Sequence, residues 1–133
     1  RVVIPNSVTS IGYNAFYGNK YIKKVSMPDE VSSIDNWAFM FCESLEEINI
    51  PKSLKKITGQ CFDCCYALKE IVLPEGLTEI DYSGFADCTS LTEINVPQKT
   101  NWWDGIVLHE NCFFGTPMRK IKGEYYYGKI KRY

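Results

Sequence analysis

The side chains of this 133-residue chain that could do chemistry are six cysteines, one histidine and a set of regularly placed carboxylates. Cys61-Phe62-Asp63-Cys64-Cys65 has the spacing of half a zinc site, yet no second pair stands at a suitable distance and His109 is the sole histidine. His109 has no serine or cysteine at a recognisable motif spacing, and the chain has no phosphate-binding glycine loop or zinc-helix motif. Catalysis therefore has no constellation with assignable roles. The expectation is a protein that is not an enzyme and carries no metal or cofactor. The residues suited to binding are Lys24, Glu47, Glu70 and Glu93, which recur at one step, and the adjacent Trp102 and Trp103.

What places these residues is a repeat. Pro5, Pro28, Pro51, Pro74 and Pro97 stand 23 residues apart. A fixed period in this range means one supersecondary unit stacked on copies of itself. Apolar side chains keep the same step. Phe16, Phe39, Phe62 and Phe85 form one column and Ile11, Ile34, Ile57 and Ile80 another. Ile22, Leu45, Leu68 and Leu91 form a third, and Val25, Ile48, Ile71 and Ile94 a fourth. Each unit can bury its apolar side only against the same positions of its neighbours, which is what such columns provide. Cys42, Cys65 and Cys88 share a column and are expected inside as small hydrophobes. Cys61 and Cys112 fill the small position before phenylalanine, and only Cys64 has no column to explain it. A disulfide within the column is disfavoured, because parallel side chains give poor bond geometry and three sulfurs cannot all pair.

Within a unit, Ile48 and Ile50 are two apart and share one face of a strand, so Glu47 and Asn49 point the other way. Proline ends the strand, having no N–H for a ladder bond. The segment Ser53–Ile57 reads as a shorter second strand, and Trp37–Cys42 leaves room for about one helical turn. Parallel in-register strands would then set Glu47, Glu70 and Glu93 in one row about 4.8 Å apart, with Asn49, Val72 and Asn95 in the next outward row. That row is either an acidic stripe that docks a basic protein patch, with a weakly held calcium ion, or a solubilising face. Trp102 and Trp103, in an insertion near residues 98–111, either close the end of the core or form a binding hot spot. The tail over residues 118–133 is rich in tyrosine and lysine, and alternation at Tyr125, Tyr127 and Lys129 suggests a strand on the last edge.

The unit Ala38-Phe39-x-x-Cys42-x-x-Leu45-x-x-Ile48-x-Ile50-Pro51 resembles the leucine-rich repeats of the BspA-like, treponemal class. The resemblance runs in register over about residues 1–97 and resumes at Cys112–Ile121 as a degenerate last repeat. Asn19 in place of cysteine, Cys61 and Gly84 in place of alanine, and the 28-residue step from Phe85 to Phe113 depart from the pattern. The resemblance implies a leucine-rich-repeat solenoid, mainly β, with a parallel sheet along one face and short turns, strands or single helical turns on the other. It implies a cell-surface or secreted protein used in adhesion to host matrix or cell-surface proteins.

The whole chain, 1–133, is expected to be one domain of about five repeats. It begins inside a repeat at Val2-Val3-Ile4-Pro5 with no signal peptide, so the expectation is a fragment of a longer protein. A hydrophobic content of 45% with 14% aromatics supports a packed core. A net charge of −1 argues against nucleic acid as the main partner, and no apolar run approaches the ~18 residues of a membrane span. A protein-interaction module is the first reading of function; a structural spacer is the alternative.

Overall fold

A computed structural model describes residues 1–98 and 105–117, and the main chain of 130–132. Each repeat coils once and contributes a strand to each of two faces. The first face holds β1 (Val2–Val3), β3 (Lys24–Ser26), β5 (Glu47–Ile48), β7 (Glu70–Val72), β9 (Glu93–Val96) and β11 (Ile130–Arg132). The second holds β2 (Ser10–Ile11), β4 (Ser33–Ile34), β6 (Lys56–Ile57), β8 (Glu79–Ile80) and β10 (Val107–Leu108). All pairings are parallel and in register, as with Val25 opposite Ile48 and Ile57 opposite Ile80. The solenoid expected from the repeat is thus the architecture found.

Proline links the two faces. Its carbonyl accepts the N–H three residues on, in Val8 to Pro5, Val31 to Pro28, Leu54 to Pro51 and Leu77 to Pro74, at 3.0 to 3.2 Å. Each proline therefore opens a tight turn that brings an apolar residue back into the core. Val31, Leu54 and Leu77 are buried there.

The third side of each coil is not the helical turn that the spacing of Trp37–Cys42 allows. Two residues per coil adopt the left-handed conformation: Asn14 and Gly18, Trp37 and Phe41, Gln60 and Cys64, Ser83 and Asp87, Asn111 and Gly115. A right-handed helix cannot pass through such residues. Alternate N–H groups bond within the turn and to the next coil. Met40 and Cys42 donate to Trp37 and Phe39 three residues back, while Phe39 donates to Cys61 O at 3.0 Å and Phe41 to Asp63 O at 2.9 Å. The N–H groups from Ala38 to Cys42 are all satisfied this way, which a lone helical turn would not achieve. This ribbon runs unbroken from Phe16 N, bonded to Ala38 O, to Phe85 N, bonded to Cys112 O.

Inside it the phenylalanine rings stack. Phe16, Phe39, Phe62, Phe85 and Phe113 lie with centroids 5.1, 5.4, 5.2 and 5.8 Å apart and planes within 8°. The main-chain ladder sets the repeat distance near the usual strand spacing of about 4.8 Å, so flat rings at equivalent positions must stack. The widest gap falls at Phe85 and Phe113, where the insertion interrupts the period. Phe39, Phe62 and Phe85 are fully buried, whereas Phe16 is partly exposed.

Replacing Phe62 by alanine is expected to cost roughly 3–5 kcal/mol, since it opens a cavity between two rings. The same change at Phe16 should cost less, because one face of its ring has no neighbouring ring in the stack. Equal losses in chemical denaturation would contradict stacking as the source of stability.

Candidate functional site

The ladders of the two strand faces are not continuous. On the first face β1, β3 and β5 form one sheet and β7, β9 and β11 another. On the second face β2 pairs with β4, and β6, β8 and β10 form a separate sheet. Both divisions fall between the same two coils, those of Phe39 and Phe62. Across this junction Thr58 Oγ1 donates to Ile34 O at 2.9 Å. At the equivalent places in other coils a main-chain N–H makes that bond, as in Asp35 to Ile11 and Asp81 to Ile57. The turn ribbon carries its main-chain ladder straight through, and outside it Ser53 N donates across the junction to Asp29 O at 3.2 Å.

On the first face a groove of about 860 Å³ lies over this junction. Lys24, Glu47 and Asn49 line one part of it, and Lys69, Glu70 and Val72 the other. Lys24 and Glu47 stand opposite each other in register and form an ion pair of 3.0 Å. Both are well exposed, so the pair contributes at most about 1 kcal/mol and its charges remain available to a partner. The Asn49 amide spans the edge of β3, with Oδ1 accepting from Met27 N at 2.7 Å and Nδ2 donating to Met27 O at 2.8 Å. Val72 is exposed at the groove edge.

The structure therefore gathers Lys24, Glu47, Asn49, Glu70 and Val72 into one concavity and corrects two expectations. The three glutamates are not one row. Glu70 pairs in register with Glu93, but the sheet boundary separates Glu47 from Glu70. Asn95 does not face solvent; it is only 8% exposed and its Nδ2 has no hydrogen-bond partner. β11 pairs in parallel with β9 and sets Lys131 opposite Asn95, so β9 has a strand on both sides where β5 and β7 have one. Trp102 and Trp103 lie outside the described residues, as do Tyr125, Tyr127 and Lys129. The tail strand is seen at Ile130–Arg132.

The cysteines are all free and buried. Cys42, Cys65 and Cys88 donate their S–H to the carbonyls of Phe16, Phe39 and Phe62 at 3.1 to 3.2 Å, so the column repeats one hydrogen bond per coil. Cys64, without a column in the apolar alignment, occupies a left-handed turn position shared with Gly18, Phe41, Asp87 and Gly115. Its thiol bonds to Asp63 Oδ1 at 3.3 Å. Burial pushes the thiol of Cys42 up to about 11 and those of Cys61 and Cys112 up to about 12. Burial also raises the Asp63 carboxyl, with the charge of Asp87 adding to it.

His109 is not isolated in space. It follows β10, and its Nε2 lies 2.5 Å from Glu79 Oε2. Asp81 completes a group of three possible metal ligands, and Asp63, Cys64 and Asp87 form a second group. None of these residues lines the groove. The sequence holds a signal for Glu79, Asp81 and His109. The 28-residue step that carries Phe85 to Phe113 also carries Asp81 to His109.

Parallel strands in register, a stacked phenylalanine interior and turns repeated at a constant step define a leucine-rich-repeat solenoid. The chain belongs to the BspA type leucine rich repeat family, whose pattern matches residues 1–118 in six copies. A leucine-rich repeat protein from Bacteroides ovatus is 37% identical, with a TM-score of 0.73 over 84% of this chain and 30% of that one. A leucine rich cell surface protein from Faecalibacterium prausnitzii is 31% identical, with a TM-score of 0.67 over 81% of this chain and 31% of that one. The leucine-rich repeat protein of T. pallidum is 28% identical, with a TM-score of 0.76 over 85% and 53% of the two chains. This chain thus spans about a third to a half of the length of these relatives. No curated protein matches it. Among the described residues no helix is long and apolar enough to cross a membrane.

Two outcomes check the junction and the thiols. Thr58→Val, which keeps the shape and leaves the Ile34 carbonyl without its donor, should destabilise the fold by about 1 kcal/mol in chemical denaturation. A change near zero would show that the hydroxyl contributes nothing at the junction. At pH 8 a disulfide reagent should modify the native thiols far more slowly than those of the denatured chain, because burial keeps them protonated and covered. Rapid labelling of the native protein would contradict that burial.

Proposed function

We propose that this chain is a non-enzymatic protein-interaction module of a bacterial surface or secreted protein, and that its partner docks in the groove across β3, β5 and β7. The observation that carries this reading is the groove itself: three lysines, three glutamates, an aspartate, an asparagine and an exposed valine converge on one concavity of about 860 Å³. Charges of both signs around an apolar edge favour a protein segment with complementary charges over a polyanion, in keeping with the net charge of −1. The family, and the cell-surface protein among its structural relatives, support a surface setting and a host matrix or cell-surface protein as partner.

The test is binding to a panel of purified extracellular-matrix and cell-surface proteins by the wild type, by Glu47→Lys/Glu70→Lys, and by Val107→Lys on the second face as control. Loss of affinity by about tenfold or more in the groove variant alone, with unchanged circular dichroism, is the expected result. Equal binding by all three would move the site off the groove. Failure of the wild type to bind any of them would favour a spacer that only holds neighbouring domains apart.

A further inference from the structure

Glu79 and Asp81 flank Ile80, which is fully buried, so their side chains share the outer side of the strand. Pairing of β8 with β10 sets Leu108 opposite Ile80, and His109 N donates to Ile80 O at 3.0 Å. His109 is thereby brought level with Asp81. One imidazole nitrogen and two carboxylate oxygens all lie within 4.8 Å of one another. All three side chains are partly exposed, His109 at 41% and the carboxylates at 30% and 28%, so an ion has access from solvent. A cation already sits at the edge of the group. Lys56, opposite Glu79 on β6, holds its ammonium 3.3 Å from Asp81 Oδ2 and 4.0 Å from Glu79 Oε2.

We propose that Glu79, Asp81 and His109 form a binding site for a divalent transition ion of the zinc type. Two carboxylates and an imidazole are a nitrogen and oxygen set suited to zinc and its neighbours, whereas calcium and magnesium gain little from a ring nitrogen. Three protein ligands leave a fourth position for water. The ion would take the lone pair of His109 Nε2, so the ring binds it with its proton on Nδ1, and Lys56 would give way to it. The position of the site explains what the ion would do. β9 leads into the insertion near residues 98–111, β10 is the strand within it that returns to pair with β8, and the insertion is the one interruption of the 23-residue period within residues 1–117. A metal bridging the two strands would pin the returning chain in register at the place where the repeat alone specifies register least.

The test is calorimetric titration of the intact chain with zinc chloride, with thermal unfolding in its presence and the absorption spectrum of the cobalt(II) form. One ion per chain should bind and raise the unfolding temperature, since an ion held by the native state alone stabilises it. His109→Ala should weaken binding by more than about tenfold, the scale on which even outer-shell partners act. Lys56→Met, which removes the competing ammonium, should strengthen it. The cobalt form should lack thiolate-to-metal charge transfer. The proposal is overturned by absence of binding to both the wild type and Lys56→Met, by equal affinity in His109→Ala, or by a thiolate band, which would assign the ion to a cysteine.

Discussion

The fold depends on the hydrogen bonds that the phenylalanine turns make from one coil to the next. They form the one main-chain ladder that crosses every coil boundary from Phe16 to Phe113. The ladder requires two left-handed residues in each coil, a conformation that costs about 1–2 kcal/mol for a residue with a side chain. Glycine fills these places only at Gly18 and Gly115. Elsewhere Asn14, Trp37, Phe41, Gln60, Cys64, Ser83, Asp87 and Asn111 accept the strain, so the bonds they permit and the rings stacked behind them must outweigh it.

With one side of every coil held in this way, the strand faces are free to vary. Between the coils of Phe39 and Phe62 both strand ladders stop, and a threonine hydroxyl stands in for a main-chain donor. The groove lies over that place on the first face. Its binding potential and the interrupted pairing beneath it have one origin: strands that no longer hydrogen-bond side by side leave room between their outward side chains. On the second face pairing resumes, and the close approach of β6, β8 and β10 brings Lys56, Glu79, Asp81 and His109 together.

The apolar columns were legible in the sequence because each is enforced by burial against its own copy, and they predict the solenoid, the phenylalanine stack and the cysteine ladder. The turn was not. Asn14, Trp37, Gln60, Ser83 and Asn111 have no side-chain property in common, since the position demands a backbone conformation and not a chemistry. The outward residues were only partly legible. Lys24, Glu47, Asn49, Glu70 and Val72 meet in the groove as strand alternation implies, but alternation cannot foresee that Asn95 is buried or that β11 pairs beside it from 35 or more residues along the chain. Nor can a strict 23-residue step find His109, which the insertion carries out of its column.

Residue-resolved hydrogen exchange tests most directly the claim that the turn ribbon is what joins the coils. The account predicts that the amides of Phe39 and Phe41, which cross the interrupted junction, are protected as strongly as those of Phe62 and Cys64 in the next coil, while strand amides flanking the junction exchange faster than those within β7 and β9. Weak protection at Phe39 and Phe41, or uniform protection of the strands across the junction, would contradict it.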